Sequence, residues 1–187
     1  IVDGVLETDP MDVTLPFYLL SPKGASGRLP AVICPHGHGG GGKAAVAGVH
    51  ASAEVSGAIE KYNYSYGVQF ARAGFRVFCP DARGFGERQE REVREQPLAN
   101  SCHHLQLMGS PLGIPVAGMW TFDLMRLADH VLSRKDVLPD RLGCAGDRGA
   151  LWRVPGRIGG RVRWLRAARP APARAAAPRL PGRPASR

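Results

Sequence analysis

Leu29-Pro-Ala-Val-Ile-Cys-Pro-His-Gly-His-Gly-Gly-Gly-Gly42 joins a short apolar run to a turn made almost wholly of glycine and histidine. Leu29 to Cys34 is apolar without alternation, the pattern of a strand covered on both faces. The glycines that follow let backbone N–H groups meet a ligand with no side chain in the way. The same arrangement recurs twice. Arg76-Val-Phe-Cys79 runs into Pro80-Asp-Ala-Arg-Gly-Phe-Gly-Glu87, and Leu142 to Ala145 runs into Gly146-Asp147-Arg148-Gly149. Covered strands that each end in a turn predict an α/β sheet with its functional groups at the strand ends.

Working outward, Val2 to Leu6 and Thr14 to Leu20 read as a pair of opening strands, with Asp9-Pro10 as the turn signal between them. Tyr66 to Ala73 predicts a helix, with Tyr66 and Phe70 one turn apart and Gly74 at the C-terminal cap. Val116 to Ser133 predicts a longer one, since Trp120, Leu124, Leu127, Ala128 and Val131 share a face; Pro115 precedes it and Arg134 and Lys135 sit near the negative end of its dipole. Pro139-Asp140 reads as the turn into the last strand. Lys43 to Tyr64 reads as a loop over a site, and Arg88 to Ser110 gives no clear assignment. Strand, helix, strand, helix, strand implies a mostly parallel sheet with right-handed crossovers.

Three chemistries compete for the turn at 35–42. Glycine-rich backbone at a strand end can stabilise the oxyanion of acyl transfer. A phosphate loop is matched only because Gly37-His-Gly-Gly-Gly-Gly42 is nearly all glycine, and no Walker lysine-serine pair follows. His36 and His38 lie two apart without a second cluster to complete a metal site, and nothing else calls for a cofactor.

Leu29 to Gly40, Tyr66 to Glu87, Met119-Trp-Thr-Phe-Asp-Leu-Met-Arg126 and Pro139-Asp-Arg-Leu-Gly-Cys-Ala-Gly146 together resemble an α/β hydrolase, nearest to the dienelactone hydrolase and acetyl xylan esterase-like proteins. The resemblance covers roughly residues 5 to 146, in the family's order. It implies a serine ester hydrolase acting on small-molecule esters, with His36, Gly37, His38 and Gly39 as the oxyanion and substrate loop and the His38 backbone N–H as a donor. It also implies that Asp81-Ala-Arg-Gly84 closes the fourth strand and that Cys144 lies just before a G-x-S-x-G elbow, with the acid and histidine of the triad coming later in the chain.

The elbow departs from that pattern. Gly146-Asp147-Arg148-Gly149-Ala150 keeps the first glycine, places Arg148 in the nucleophile position and loses the last glycine. A guanidinium stays protonated and has no lone pair for a carbonyl. Ser101 and Ser110 lack elbow context, and Cys102-His103-His104 lacks an identifiable orienting group, so all five read as solvated loop residues. His130 reads as a surface or packing residue, and Asp81 with Arg83 as a structural pair holding their turn.

Beyond the elbow the composition changes. Residues 150–187 hold ten arginines and no acid, and 29 of the 38 are Ala, Gly, Pro or Arg. The chain carries +9 in total, so residues 1–149 are left at −1 and the tail alone makes the protein basic. Those four residue types share codons that begin with G or C at both of the first two positions, as a GC-rich gene read out of frame would give. The expectation is an N-terminal portion of an α/β-hydrolase domain at 1–146, truncated at the elbow and inactive, and a disordered, non-homologous tail at 147–187. The sheet would end at its fifth strand, an exposed apolar edge prone to self-association. The alternative is a non-catalytic protein that binds anionic partners or nucleic acid through the arginines, although the lack of lysine and of interleaved aromatics argues against a specific nucleic-acid partner. The absence of CxxC spacing among Cys34, Cys79, Cys102 and Cys144 points to reduced thiols, and the absence of a signal peptide or long apolar span to a cytoplasmic protein; Ile1 in place of Met allows an upstream piece.

Overall fold

Leu29–Ile33 (β3) and Arg76–Pro80 (β4) lie side by side, parallel, at the centre of a single mixed sheet. The computed structural model describes residues 1–7, 13–39, 41–94, 96, 99–146 and 162–164. Thr14–Leu20 (β2) pairs antiparallel with β4, and Val2–Glu7 (β1) antiparallel with β2. On the other side Val137–Cys144 (β5) pairs parallel with β3. This is a single mixed α/β sheet, parallel at its centre with two antiparallel strands at one side.

Both faces of the centre are covered, which is why its strands show no alternation in sequence. Val32, Cys34, Val77 and Cys79 pack on one side against Val46, Ile59, Tyr64 and Tyr66. Ala31, Ile33, Phe78, Leu142 and Cys144 pack on the other against Leu124, Leu127, Ala128 and Val131. Successive residues of each strand thus serve opposite cores. The second core rests on Val116–Ser133 (α5), which has the predicted bounds and the predicted face except for the half-buried Trp120.

Tyr66–Arg72 (α3) also forms as expected, and Gly74 takes the left-handed conformation, φ 94°, that ends it. Lys43 to Tyr64 is not a loop. It holds Gly42–Val46 (α1) and Ala53–Tyr62 (α2), the latter capped by Ser52, whose side chain accepts from the Val55 N–H at 3.2 Å. Cys102–Gly109 (α4) lies in the stretch that sequence left unassigned. Pro139-Asp140 is not a turn but part of β5: Leu29 pairs with Val137 and Ala31 with Leu142, so the extra residues of β5 are accommodated where the register shifts.

A sixth strand, Val162–Trp164 (β6), pairs parallel with Leu142–Cys144, so the edge of β5 that sequence left exposed is matched there by three residues. Asp9-Pro10, Arg148 and the rest of the arginine-rich tail lie outside the described residues, as does the expectation that the tail is disordered.

Candidate functional site

The turn after β3 is held from beneath by two buried tyrosines. Tyr66 donates its hydroxyl proton to the Pro35 carbonyl at 2.5 Å, and the Tyr64 hydroxyl accepts from the Gly37 N–H at 2.5 Å. The His36 ring is also buried and faces two backbone groups: Nδ1 lies 2.9 Å from the Gly37 carbonyl oxygen, and Nε2 accepts from the Ala82 N–H at 3.1 Å. An acceptor at Nε2 places the proton on Nδ1, so the ring is neutral. Burial lowers its pKa accordingly, against the opposing pull of Asp81.

His36 and Gly37 are therefore loop supports. The Gly37 N–H is already engaged by Tyr64 and the His36 ring by backbone, so of the four residues expected to meet a substrate only His38 and Gly39 stand exposed. Among the described residues neither the His38 nor the Gly39 backbone N–H donates to any acceptor.

Asp81, at the end of β4, does not pair with Arg83. Its carboxylate turns toward α1 and accepts from the Lys43 backbone N–H at 2.7 Å, Lys43 Nζ at 3.0 Å and the Glu87 N–H at 3.2 Å. Lys43 also meets Glu87 and lies over the Tyr18 ring, 4.8 Å from its centroid. Burial opposes the Lys43 charge, but the two carboxylates together outweigh it and raise the pKa above its ordinary value. Gly42 and Gly86 press against this carboxylate with φ 66° and 53°; a Cβ at either would stand within 2.4 Å of it.

Arg83 turns to the other face of the sheet, where Nε and Nη2 grip both oxygens of Asp123 on α5 at 3.0 and 2.8 Å. Arg88 joins the same carboxylate at 2.6 Å, and Trp120 Nε1 donates to the Arg83 carbonyl oxygen at 2.9 Å. Alternate residues of the β4 turn thereby bind α1 on one side and α5 on the other, and Phe85 in the same turn packs on His36 and Trp120.

Phe85 and Trp120 flank the exposed His38, with ring centroids 5.1 and 6.0 Å from it. Its Nε2 lies 3.2 Å from the sulfur of Cys102, the first residue of α4. Cys102 is thus a half-buried partner of His38, not a solvated loop residue, and Ser101 beside it is buried, accepting from the Glu90 N–H at 3.2 Å. No local signal in sequence joins residues 38 and 102. His38, Gly41, Val55, Phe85, Gln89 and Arg94 line an adjoining open cavity of about 320 Å³. His104 is exposed and meets Glu90; His103 and Ser110 are exposed, and His130 packs on Phe17 at 5.9 Å, a packing role as expected. Among the described residues no three His, Cys, Asp or Glu side chains converge as a metal site would require.

No family model matches the chain. The Bacillus subtilis (strain 168) protein named "Putative hydrolase YtaP" is 29% identical over 154 residues, which are 77% of this chain and 45% of that protein. A solved structure titled as a putative acetyl xylan esterase from Bacteroides fragilis NCTC 9343 superposes with a TM-score of 0.63 at 19% identity, covering 76% of this chain and 37% of that one. A further structure, titled as a putative dienelactone hydrolase from Klebsiella pneumoniae, aligns at a TM-score of 0.43 and 17% identity over 78% of this chain and 49% of its own, too remote to bear on the site. The chain therefore has the fold of the Bacteroides fragilis structure, a partial α/β-hydrolase fold, and spans less than half the length of each of these proteins.

Proposed function

We propose that residues 1–146 of this α/β-hydrolase fold are the N-terminal part of a carboxylic ester hydrolase platform of the dienelactone hydrolase and acetyl xylan esterase kind, and that the chain does not turn esters over. The observation that carries this reading is the pair of backbone N–H groups at His38 and Gly39, which donate to nothing among the described residues, at the C-terminal end of β3 and beside the 320 Å³ cavity. A carbonyl oxygen seated there accepts from both, and the donors strengthen as negative charge develops on it. Gly37 cannot add a third donor, because Tyr64 holds it. Small esters fit the cavity, whose wall is apolar at Val55 and Phe85 and polar at Gln89 and Arg94.

What the platform lacks is attack from the elbow, since Arg148 stands where the serine belongs. The tail composition supports loss of the reading frame near Gly146 rather than a selected replacement. Sequencing the coding DNA around codons 140 to 160 tests this. A one-base shift that restores Gly-x-Ser-x-Gly followed by a helical pattern is the expected result, and stops in both other frames would overturn it. Catalysis is tested with p-nitrophenyl acetate: purified chain is expected to release no more than one p-nitrophenolate per molecule, and sustained turnover would refute the inactive reading. Among the described residues no helix is long and apolar enough to cross a membrane.

A further inference from the structure

From the contact between α4 and the β3 turn, we infer that Cys102 and His38 form a thiol–imidazole pair that captures one acyl group from an activated ester. The inference rests on the platform reading above for its substrate class. Cys102 Sγ lies 3.2 Å from His38 Nε2, within reach for a sulfur–nitrogen hydrogen bond. With the His38 proton on Nδ1, Nε2 accepts from the thiol and serves as its base. Among the described residues no carboxylate completes the pair as a third member; the Phe85 and Trp120 rings flank the imidazole edge-on, and Trp120 is itself anchored through the Arg83 carbonyl.

Position favours the thiol in two further ways. Cys102 opens an eight-residue helix, so developing negative charge on sulfur meets the positive end of the helix dipole and the N–H groups of its first turn. The same histidine that accepts its proton carries one of the two backbone donors of the oxyanion site, so attacking sulfur, base and oxyanion site lie on one loop and its neighbour. Gly84 makes the approach possible: a Cβ there, at φ 86°, would fall 2.9 Å from the Cys102 nitrogen. Partial burial raises the thiol pKa, with backbone hydrogen bonds opposing it, so the resting group is the neutral thiol and the proton moves during attack.

In the step itself the Cys102 thiol proton passes to His38 Nε2 as sulfur bonds to the ester carbonyl carbon. The carbon–oxygen bond to the alcohol or phenol breaks, and the imidazolium proton goes to that leaving oxygen or to solvent. The product is a thioester on Cys102 and a neutral His38. The other three thiols are buried: Cys144 is pushed up to about 12 by burial, and burial likewise raises Cys34 and Cys79 well above the ordinary thiol value.

The test is single-turnover acetylation of the full chain by p-nitrophenyl acetate, followed by peptide mass mapping. The expected result is one acetyl group, on Cys102, formed faster than on an unstructured cysteine peptide at the same pH and about 100-fold slower in His38→Gln. Label on a lysine or on another cysteine, or none, overturns the pairing. So does acetylation of Cys102 at the peptide's rate or at a rate unchanged in His38→Gln, which would mean simple exposure. If His38→Gln lowers the melting temperature, the wild-type-to-peptide comparison decides alone. Sustained p-nitrophenolate release while Cys102 stays acetylated refutes the inactive-platform reading alone, whereas failure to label Cys102 refutes this one and leaves the platform standing.

Discussion

The Ala82 backbone N–H donates to Nε2 of His36 across 3.1 Å, tying the ends of β4 and β3 through a buried neutral ring. Burial holds the His36 pKa below its usual 6.5, with Asp81 only partly offsetting it. The folded state thus binds a proton at lower pH than the unfolded chain does, and stability is fully present above pH 6.5 and lost as pH falls below it toward the depressed value. His130, lowered by burial and by Arg134, acts in the same direction. Urea unfolding between about pH 7.5 and 5.5 should show a loss of up to about 1.4 kcal/mol per pH unit from the buried His36, the limiting slope for one group that binds a proton only when unfolded, and less from the more solvent-screened His130. His36→Gln should reduce the slope to the part that His130 supplies; an unchanged slope would refute the assignment.

Gly86 and Asp81 are in contact that admits no side chain. A Cβ on Gly86 would sit 2.3 Å from Oδ1 of Asp81, and its φ of 53° is one L-residues rarely adopt. Gly86→Ala should therefore cost about 3 kcal/mol or more, the sum of left-handed strain and displacement of a buried carboxylate. Gly24→Ala is the control, since φ is 73° but nothing lies within 4 Å of its Cβ. It should cost only about 1–2 kcal/mol. Equal losses in the two variants, measured by denaturant midpoint, would remove Asp81 from the account.

The strands and α5 were legible because burial on both faces, or on one helical stripe, leaves a mark in consecutive residues. The Val32/Ile33 and Val77/Phe78 pairs each serve two cores, so no polar residue interrupts them. α2 was missed because its buried face is only Val55, Ala58 and Ile59, and α4 because Gly109 alone is fully buried. Asp81 and Arg83 looked like partners because they are neighbours in sequence. Alternation along the strand end sends one to Lys43 and the other to Asp123, and contacts across 38 and 40 residues leave no local pattern. A longer separation, 64 residues, hid Cys102 from His38.

Lys43 and Asp81 have side chains only 4% and 1% exposed, and their charges are compensated chiefly by one another. Removing either alone leaves a buried ion, so Lys43→Met or Asp81→Asn should each cost about 3–5 kcal/mol. The double variant should lose clearly less than the sum, because the second change removes the charge that the first stranded. Additive losses in a double-mutant cycle would mean that the pair is not coupled. At high pH the raised Lys43 pKa gives the complementary signature: stability present below 10.5 declines as pH rises through the folded value.

Asp123 meets both Arg83 and Arg88, and its side chain is 3% exposed. Arg88 is itself 8% exposed, and burial lowers its pKa against the pull of Asp123; as a guanidinium it nonetheless stays charged. Asp123→Asn keeps the shape but takes the shared counter-charge from two close cations, so it should cost about 3 kcal/mol or more. Arg83→Met, which removes one of the cations and leaves the Arg88 contact, should cost less. The order of the two losses is the decisive readout: a larger loss for Arg83→Met would mean that the bidentate grip on α5, rather than charge balance, holds the β4 turn against the helix.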